Sequence, residues 1–312
     1  MLRNLNVIFM GTPDFCVPIL KSLIDNCNVI GVVTQPDKEV GRKKEVVYSP
    51  IKKLALEYNI KIFQPIKIKE DYKDILNLNP DIIITCAYGQ IVPSEVLDYP
   101  KYGCINVHAS LLPKLRGGAP IHKAIIYGYE KTGITIMYMD KGMDTGDMIS
   151  KSEVIININD TAETLHDKLQ DIAVALLMDT LPSIINGTNK REKQNQEEAT
   201  YAYNVSRDEE HIDFNKSSKD IFNQIRGLNS WPGAYAILDD KNIKLWASIQ
   251  TNNKYNKKPG TIVNLDKNGL EVVTGDGCVL ITELQVPGKK KMVIKDFING
   301  IKKEDYIGKT FM

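Results

Sequence analysis

Asn106 and His108 place an amide and an imidazole two residues apart in the run Gly103–His108 (GCINVH). In an extended segment such residues leave the same side of the chain, so both groups can face one ligand. Thirty-six residues past His108, the loop 143–147 (MDTGD) adds the Asp144 carboxylate between glycines. Asn is a neutral donor and acceptor, His is a donor or proton carrier near neutrality, and Asp can orient or charge the ring. Together they suit the stabilisation of an oxyanion and the management of one proton in a transfer at a carbonyl. No covalent nucleophile accompanies them: Ser110 is not in G-x-S-x-G, and no Cys adjoins His108. Direct attack by a substrate amine is the simpler chemistry. Plainer readings exist for each residue. An Asn-x-His at a strand end fits a merely hydrogen-bonded core histidine, and Asp144-Thr145-Gly146 fits an Asx-type turn. That triplet also matches the aspartic proteases, but their two-carboxylate chemistry needs a second D-[TS]-G, which the chain lacks. His122, His166 and His211 follow no spacing such as H-E-x-x-H, so no metal is expected.

These groups need a scaffold, and the first 130 residues predict one. Short, unalternating, β-branched runs at 6–10, 29–34, 60–63, 81–86 and 103–108 alternate with helical patterns at 13–24 and 50–58. Such runs indicate an open, doubly wound, mostly parallel sheet, a Rossmann-like α/β domain covered on both faces. Ligands bind there beyond the carboxyl ends of strands, which is where Asn106 and His108 fall. The turn Gly11-Thr12-Pro13-Asp14 has a single glycine, and no G-x-x-x-x-G-K-[ST] occurs, so a dinucleotide or nucleoside triphosphate lacks its cradle. A further strand at 134–139 and a long helix at 162–184 complete a domain over 1–187. The polar run 188–198 opens a linker over 188–206. After a helix near 219–228, β-rich runs at 234–238, 243–249, 261–265, 270–274 and 279–285 predict a small antiparallel barrel, OB-like, over 207–312.

With 312 residues, 43% hydrophobic and 25% charged, the chain is a two-domain globular protein; collagen-like and disordered classes are excluded. Its 40 basic and 39 acidic residues make no polycation, so any nucleic-acid contact comes from local patches. The five cysteines are odd in number with no C-x-x-C, which argues against a disulfide framework and fits a reducing cytoplasm. No run reaches the roughly 18 apolar residues of a membrane span, and no signal segment is recognisable. A cytoplasmic protein with no membrane partner is expected.

Six motifs stand in order: Phe9–Phe15 (FMGTPDF), Val33–Lys38 (VTQPDK), Ala87–Pro93 (AYGQIVP), Asn106–Pro113 (NVHASLLP), Arg116–Ile121 (RGGAPI) and Met139–Gly146 (MDKGMDTG). The set resembles the folate-dependent formyltransferases, and among them the methionyl-tRNA formyltransferases, from Val7 through Trp231-Pro232-Gly233-Ala234 into the terminal domain. The resemblance implies transfer of a formyl group from 10-formyltetrahydrofolate to the α-amine of methionine on initiator tRNA; a monomer with no metal is expected beside it. It implies Asn106, His108 and Asp144 as the catalytic set. Ser110, Leu111, Leu112 and Pro113, with Tyr88, Gly89, Gln90 and Ile91, resemble the folate-binding segments. Between 36 and 53, basic residues outnumber acidic ones, and the family uses this loop to clasp the acceptor end, which points to Arg42, Lys43 and Lys44. The chain departs from the family where Glu39-Val40-Gly41-Arg42-Lys43 stands for Pro-Ala-Gly-Arg-Gly, at Leu115, and at Ser230. In the terminal domain, Lys254, Lys257, Lys258, Lys289, Lys290, Lys291 and Lys295 offer one basic face. The rival acceptors are an amino sugar nucleotide or a ribonucleotide. A nucleic-acid-binding module with a decayed enzyme domain is the rival of another class, against which the intact catalytic set speaks.

Overall fold

A computed structural model describes residues 2–41 and 44–312. The chain forms two compact units, one from Met1–Pro120, Lys131–Ile155 and His166–Tyr203, the other from Ile121–Glu130, Ile156–Leu165 and Asn204–Met312.

The first unit is built on a seven-stranded sheet. In chain order its elements are β1 (Asn6–Gly11), α1 (Val17–Asn26), β2 (Asn28–Val33), a small pair β3 (Lys38–Val40) and β4 (Glu45–Val47), α2 (Pro50–Glu57), and β5 (Ile62–Phe63). There follow α3 (Lys73–Leu76), β6 (Ile82–Cys86), α4 (Ser94–Leu97), β7 (Cys104–His108), then α5 (Pro120–Ile126), which beyond Pro120 belongs to the second unit, and β8 (Lys131–Tyr138) and β9 (Met148–Ile155). The helix α6 (Ala162–Ile185) completes the set and crosses from one unit to the other. The strand order is β5-β2-β1-β6-β7-β8-β9. The first five strands pair in parallel, whereas β8 and β9 run antiparallel. Local chemistry explains the elements. Every residue of β6 is buried, as an unbroken apolar run requires when both sheet faces are covered. The Ser49 hydroxyl caps α2 by accepting from the Lys52 amide at 3.0 Å, with Pro50 in its first turn.

The strand order reverses at β1 and β6, which opens the crevice where such sheets hold ligands. The loops above it are laced together. The Tyr88 carbonyl accepts from Gln35 Nε2 (2.9 Å) and Thr12 Oγ1 (3.3 Å), while Gln90 Nε2 donates to the Pro65 carbonyl (3.1 Å).

The structure departs from the sequence pattern in two places. The strand β9 has no apolar run to announce it, because as an edge strand it carries Ser150, Lys151, Ser152 and Glu153 in succession. The polar stretch 188–203 packs into the first unit: Glu192 pairs with Met148 through backbone bonds of 2.8 and 2.9 Å, and Ala202 N donates to the Arg116 carbonyl at 2.7 Å.

The second unit holds α7 (Ser218–Gly227) and an antiparallel sheet. Its strands are β10 (Ala234–Leu238), β11 (Lys241–Thr251), β12 (Ile262–Asp266), β13 (Gly269–Val273), β14 (Cys278–Gln285) and β15 (Met292–Val293), followed by α8 (Ile294–Phe297). The order is β10-β11-β14-β13-β12, with β15 on β14. The last residues bridge the two ends of this path: Phe311 N donates to the Gly260 carbonyl (2.9 Å), and Met312 and Ile237 exchange backbone bonds of 2.8 and 2.9 Å. The expected small β domain is thus present, its edges covered by its own terminal segment. Its core includes Ile221, Ile225, Leu245, Val272, Ile281 and Phe311.

Candidate active site

Asn106 and His108 lie at the carboxyl end of β7, on one side of the strand as their spacing requires. Beside them, next to the last residue of β6, stands Thr85, whose hydroxyl is 2.9 Å from Asn106 Oδ1 and donates to it. That contact turns the amide so that Nδ2 faces Asp144 Oδ1 at 3.4 Å. The other carboxylate oxygen of Asp144 accepts from Gly117 N at 2.8 Å and lies 3.6 Å from His108 Nδ1. One carboxylate therefore links amide, imidazole and loop. The other imidazole nitrogen, Nε2, is 3.0 Å from the Leu115 carbonyl. A carbonyl only accepts, so Nε2 carries a proton in this geometry.

Two loops hold Asp144 in place. Asp144 itself has φ 53°, a left-handed conformation that aspartate tolerates better than most residues. Its backbone carbonyl and that of Gly146 both accept from Gln194 Nε2, each at 2.8 Å. Gln194 Oε1 in turn accepts from Arg116 Nε (3.0 Å) and Nη2 (2.7 Å), and Arg116 Nη1 donates to Gln196 Oε1 (2.8 Å). Arg116 is only 1% exposed, so these amide oxygens replace the water its guanidinium gave up. Gly117 has φ +116°, and a Cβ there would stand 2.9 Å from the Ala202 carbonyl. Only glycine lets the backbone N–H reach the carboxylate from this position.

Nucleophilic cysteine chemistry finds no support nearby. The Cys86 thiol is pushed well above its ordinary pKa by its hydrogen bond with Cys16 and by burial, which keeps it protonated. No cluster of His, Cys, Asp or Glu suited to a metal occurs among the described residues, and none of their helices is long and apolar enough to cross a membrane.

Residues 3–181 match the formyl transferase family and residues 204–302 match the formyl transferase C-terminal domain. Over 298 residues the chain is 52% identical to methionyl-tRNA formyltransferase of Bacillus subtilis, covering 94% of each protein. The chain belongs to the methionyl-tRNA formyltransferases. The enzyme of Macrococcus caseolyticus is 51% identical over 300 residues, covering 96% of both. Among solved structures, the sugar 3N-formyl transferase WlaRD shares the fold with a TM-score of 0.67 at 24% identity, over 92% of this chain and 99% of that one. HypX from Aquifex aeolicus, solved with tetrahydrofolic acid, gives 0.63 at 18% identity, over 95% of this chain and 47% of its own.

The remaining expected site residues fall into three groups. Gly89 is exposed, and Ile91 is 86% exposed on the loop after β6. Tyr88 instead turns its ring into the core, where burial raises its phenol above the ordinary range. Gln90 Oε1 accepts from Ile68 N at 2.9 Å and braces the same loop. In 110–113, Ser110 and Leu112 are buried, Leu111 is half-buried, and the backbone is largely engaged: Thr135 Oγ1 donates to the Ser110 carbonyl (2.7 Å) and accepts from Leu112 N (3.1 Å), and the Pro113 carbonyl accepts from Thr200 N (3.3 Å). Of the basic trio, Arg42 and Lys43 lie outside the described residues, and Lys44 is exposed, 3.7 Å from Glu39. In the second unit, Lys254, Lys257, Lys258, Lys289, Lys290, Lys291 and Lys295 are all exposed. Thr85 and Gln194 have no signal in the sequence; Arg116 stands in a motif that by itself assigns it no role.

Proposed function

We propose that Asn106, His108 and Asp144 carry out the transfer of the formyl group of 10-formyltetrahydrofolate to the α-amine of methionyl-initiator tRNA. The observation that carries this reading is the Asp144 carboxylate, which faces Asn106 Nδ2 at 3.4 Å and His108 Nδ1 at 3.6 Å. The amine attacks the formyl carbon, and the carbonyl oxygen takes up negative charge. Asn106 Nδ2, held by Thr85, donates to that oxygen. His108 joins it once Nε2 exchanges the Leu115 carbonyl for the oxyanion, with Asp144 stabilising the positive ring. The C–N bond to the folate N10 then breaks, and the proton lost by the amine passes through the Asp144–His108 pair to N10. Each oxyanion donor of this kind contributes about 10²–10³ in rate.

On this reading the folate sits in the crevice at β1 and β6, where such sheets hold ligands. The backbone at the exposed Gly89 and Ile91 offers hydrogen-bonding groups to the pterin edge, while Ile91 and Leu111 form its apolar walls. The 110–113 segment shapes the pocket more than it bonds the ligand, since its backbone is already engaged. The basic residues at 42–44 and the lysines of 207–312 hold the tRNA by its phosphates, and a cytoplasmic location belongs to this same reading.

The test is acceptor choice. Purified enzyme with 10-formyltetrahydrofolate is expected to formylate methionyl-tRNA and not an amino sugar nucleotide; the reverse result overturns the proposal. His108→Ala with unchanged single-turnover transfer would overturn the mechanism alone.

A further inference from the structure

We propose that Tyr201 and Tyr203 form a stacking platform for the unpaired 3′-terminal bases of the acceptor RNA, beside the carboxylate of Asp144. The inference rests on the catalytic reading above and names how that site receives its RNA. Residues 200–202 run alongside the loop that follows Pro113. Leu115 N donates to Thr200 Oγ1 (2.9 Å), Arg116 N to the Thr200 carbonyl (2.9 Å), and Ala119 N to the Ala202 carbonyl (2.9 Å). Thr200 and Ala202 are thereby committed inward, and Ala202 is fully buried. Alternation along an extended segment sends Tyr201 and Tyr203 the other way. Their rings lie 4° from parallel with centroids 5.6 Å apart, and the residues are 44% and 64% exposed.

Single exposed aromatics are ordinary, but two exposed rings already stacked in parallel form a ready surface for a third π-system. Location selects the occupant. Tyr201 pairs with Arg116, and the next residue along that loop, Gly117, donates its N–H to Asp144. The formyl acceptor is the amine of an amino acid esterified to the 3′ end of RNA. The nucleotides bearing it must therefore reach Asp144, and only unpaired bases expose their faces for stacking. Lys114, exposed on the loop that follows Pro113, can meet a phosphate between those bases. The packing of Thr200 and Ala202 holds the platform's backbone in advance, so little ordering accompanies binding.

The experiment uses methionyl-tRNA with 2-aminopurine in place of its terminal adenine, whose fluorescence falls on stacking. In the full enzyme, Tyr201→Ala with Tyr203→Ala is expected to weaken RNA binding by about 5- to 150-fold and to abolish the quench, from the usual worth of base–aromatic stacking. The loss should appear in KM for methionyl-tRNA rather than in kcat, with KM for 10-formyltetrahydrofolate held. Tyr201→Phe with Tyr203→Phe keeps both rings and is expected to retain affinity and quench; if it loses them, stacking is not the cause. Unchanged Kd and quench in the alanine variant overturn the platform while leaving the chemistry intact. A fall in kcat with both KM values unchanged makes the tyrosines structural and equally overturns it. Failure of the unaltered enzyme to formylate methionyl-tRNA would instead refute the reading on which the platform rests.

Discussion

Asp144→Asn isolates the charge of the carboxylate from its shape. Asparagine tolerates the left-handed backbone at this position, where φ is 53°. Its amide oxygen can still accept from Gly117 N, so the loop keeps its anchor. What disappears is the negative charge 3.6 Å from His108 Nδ1. At an effective dielectric of about 20, such a pair interacts by about 5 kcal/mol. The Asp144 side chain is 17% exposed, and water screens part of that sum. A loss of about 3–4 kcal/mol in the transition state remains, or roughly 10²–10³ in kcat. The new NH2 also faces Asn106 Nδ2, where a donor meets a donor. Single-turnover formyl transfer at saturating methionyl-tRNA reads the effect directly. KM for both substrates should stay within a few fold, and the thermal midpoint should barely move. A fall of less than tenfold would refute the claim that this charge supports the imidazole.

The other predictions test the parts that hold the site. Thr85→Val removes the donor to Asn106 Oδ1 and should lower kcat by about 5- to 15-fold, as expected for one hydrogen bond; Thr85→Ser should restore it, and a serine variant no better than valine would deny the hydroxyl its role. Gln194→Met leaves Arg116 Nε and Nη2 without an acceptor at a residue 1% exposed, so stability should fall by about 2–3 kcal/mol in urea unfolding; a change below about 1 kcal/mol would contradict that role for Gln194. Replacing Arg42, Lys43 and Lys44 by alanine should weaken tRNA binding and reduce the slope of log K against log salt by roughly 0.9 for each phosphate no longer neutralised. An unchanged slope would leave that stretch with no part in RNA binding.

The apolar strands are legible because burial on both faces leaves an unmistakable run of β-branched residues, as in β6. The pairing of Asn106 with His108 is legible for an equally simple reason: residues two apart on a strand share a side. The edge strand β9 hides behind its own polarity, since half of it faces solvent. Gln194 is hidden more thoroughly. Polarity over 188–198 reads as a linker when water is assumed to be the partner, yet here the partners are the Arg116 guanidinium and two loop carbonyls. Composition cannot distinguish these cases. Thr85 escapes notice because its hydroxyl acts on a residue 21 positions away, across a strand pair that only the folded sheet creates.

The docking of residues 192–202 against the loop after Pro113 has a practical consequence for anyone dissecting this enzyme. A fragment cut at 187, where the helical pattern ends, would lack the acceptor for the Arg116 side chain and the neighbours of Leu115 and Gly117. Its inactivity would say nothing about the excised portion. Chimaeras that exchange the C-terminal portion with a relative's should place their junction after Tyr203, and a protease nick between 192 and 202 should silence formyl transfer even though no reacting group has been removed.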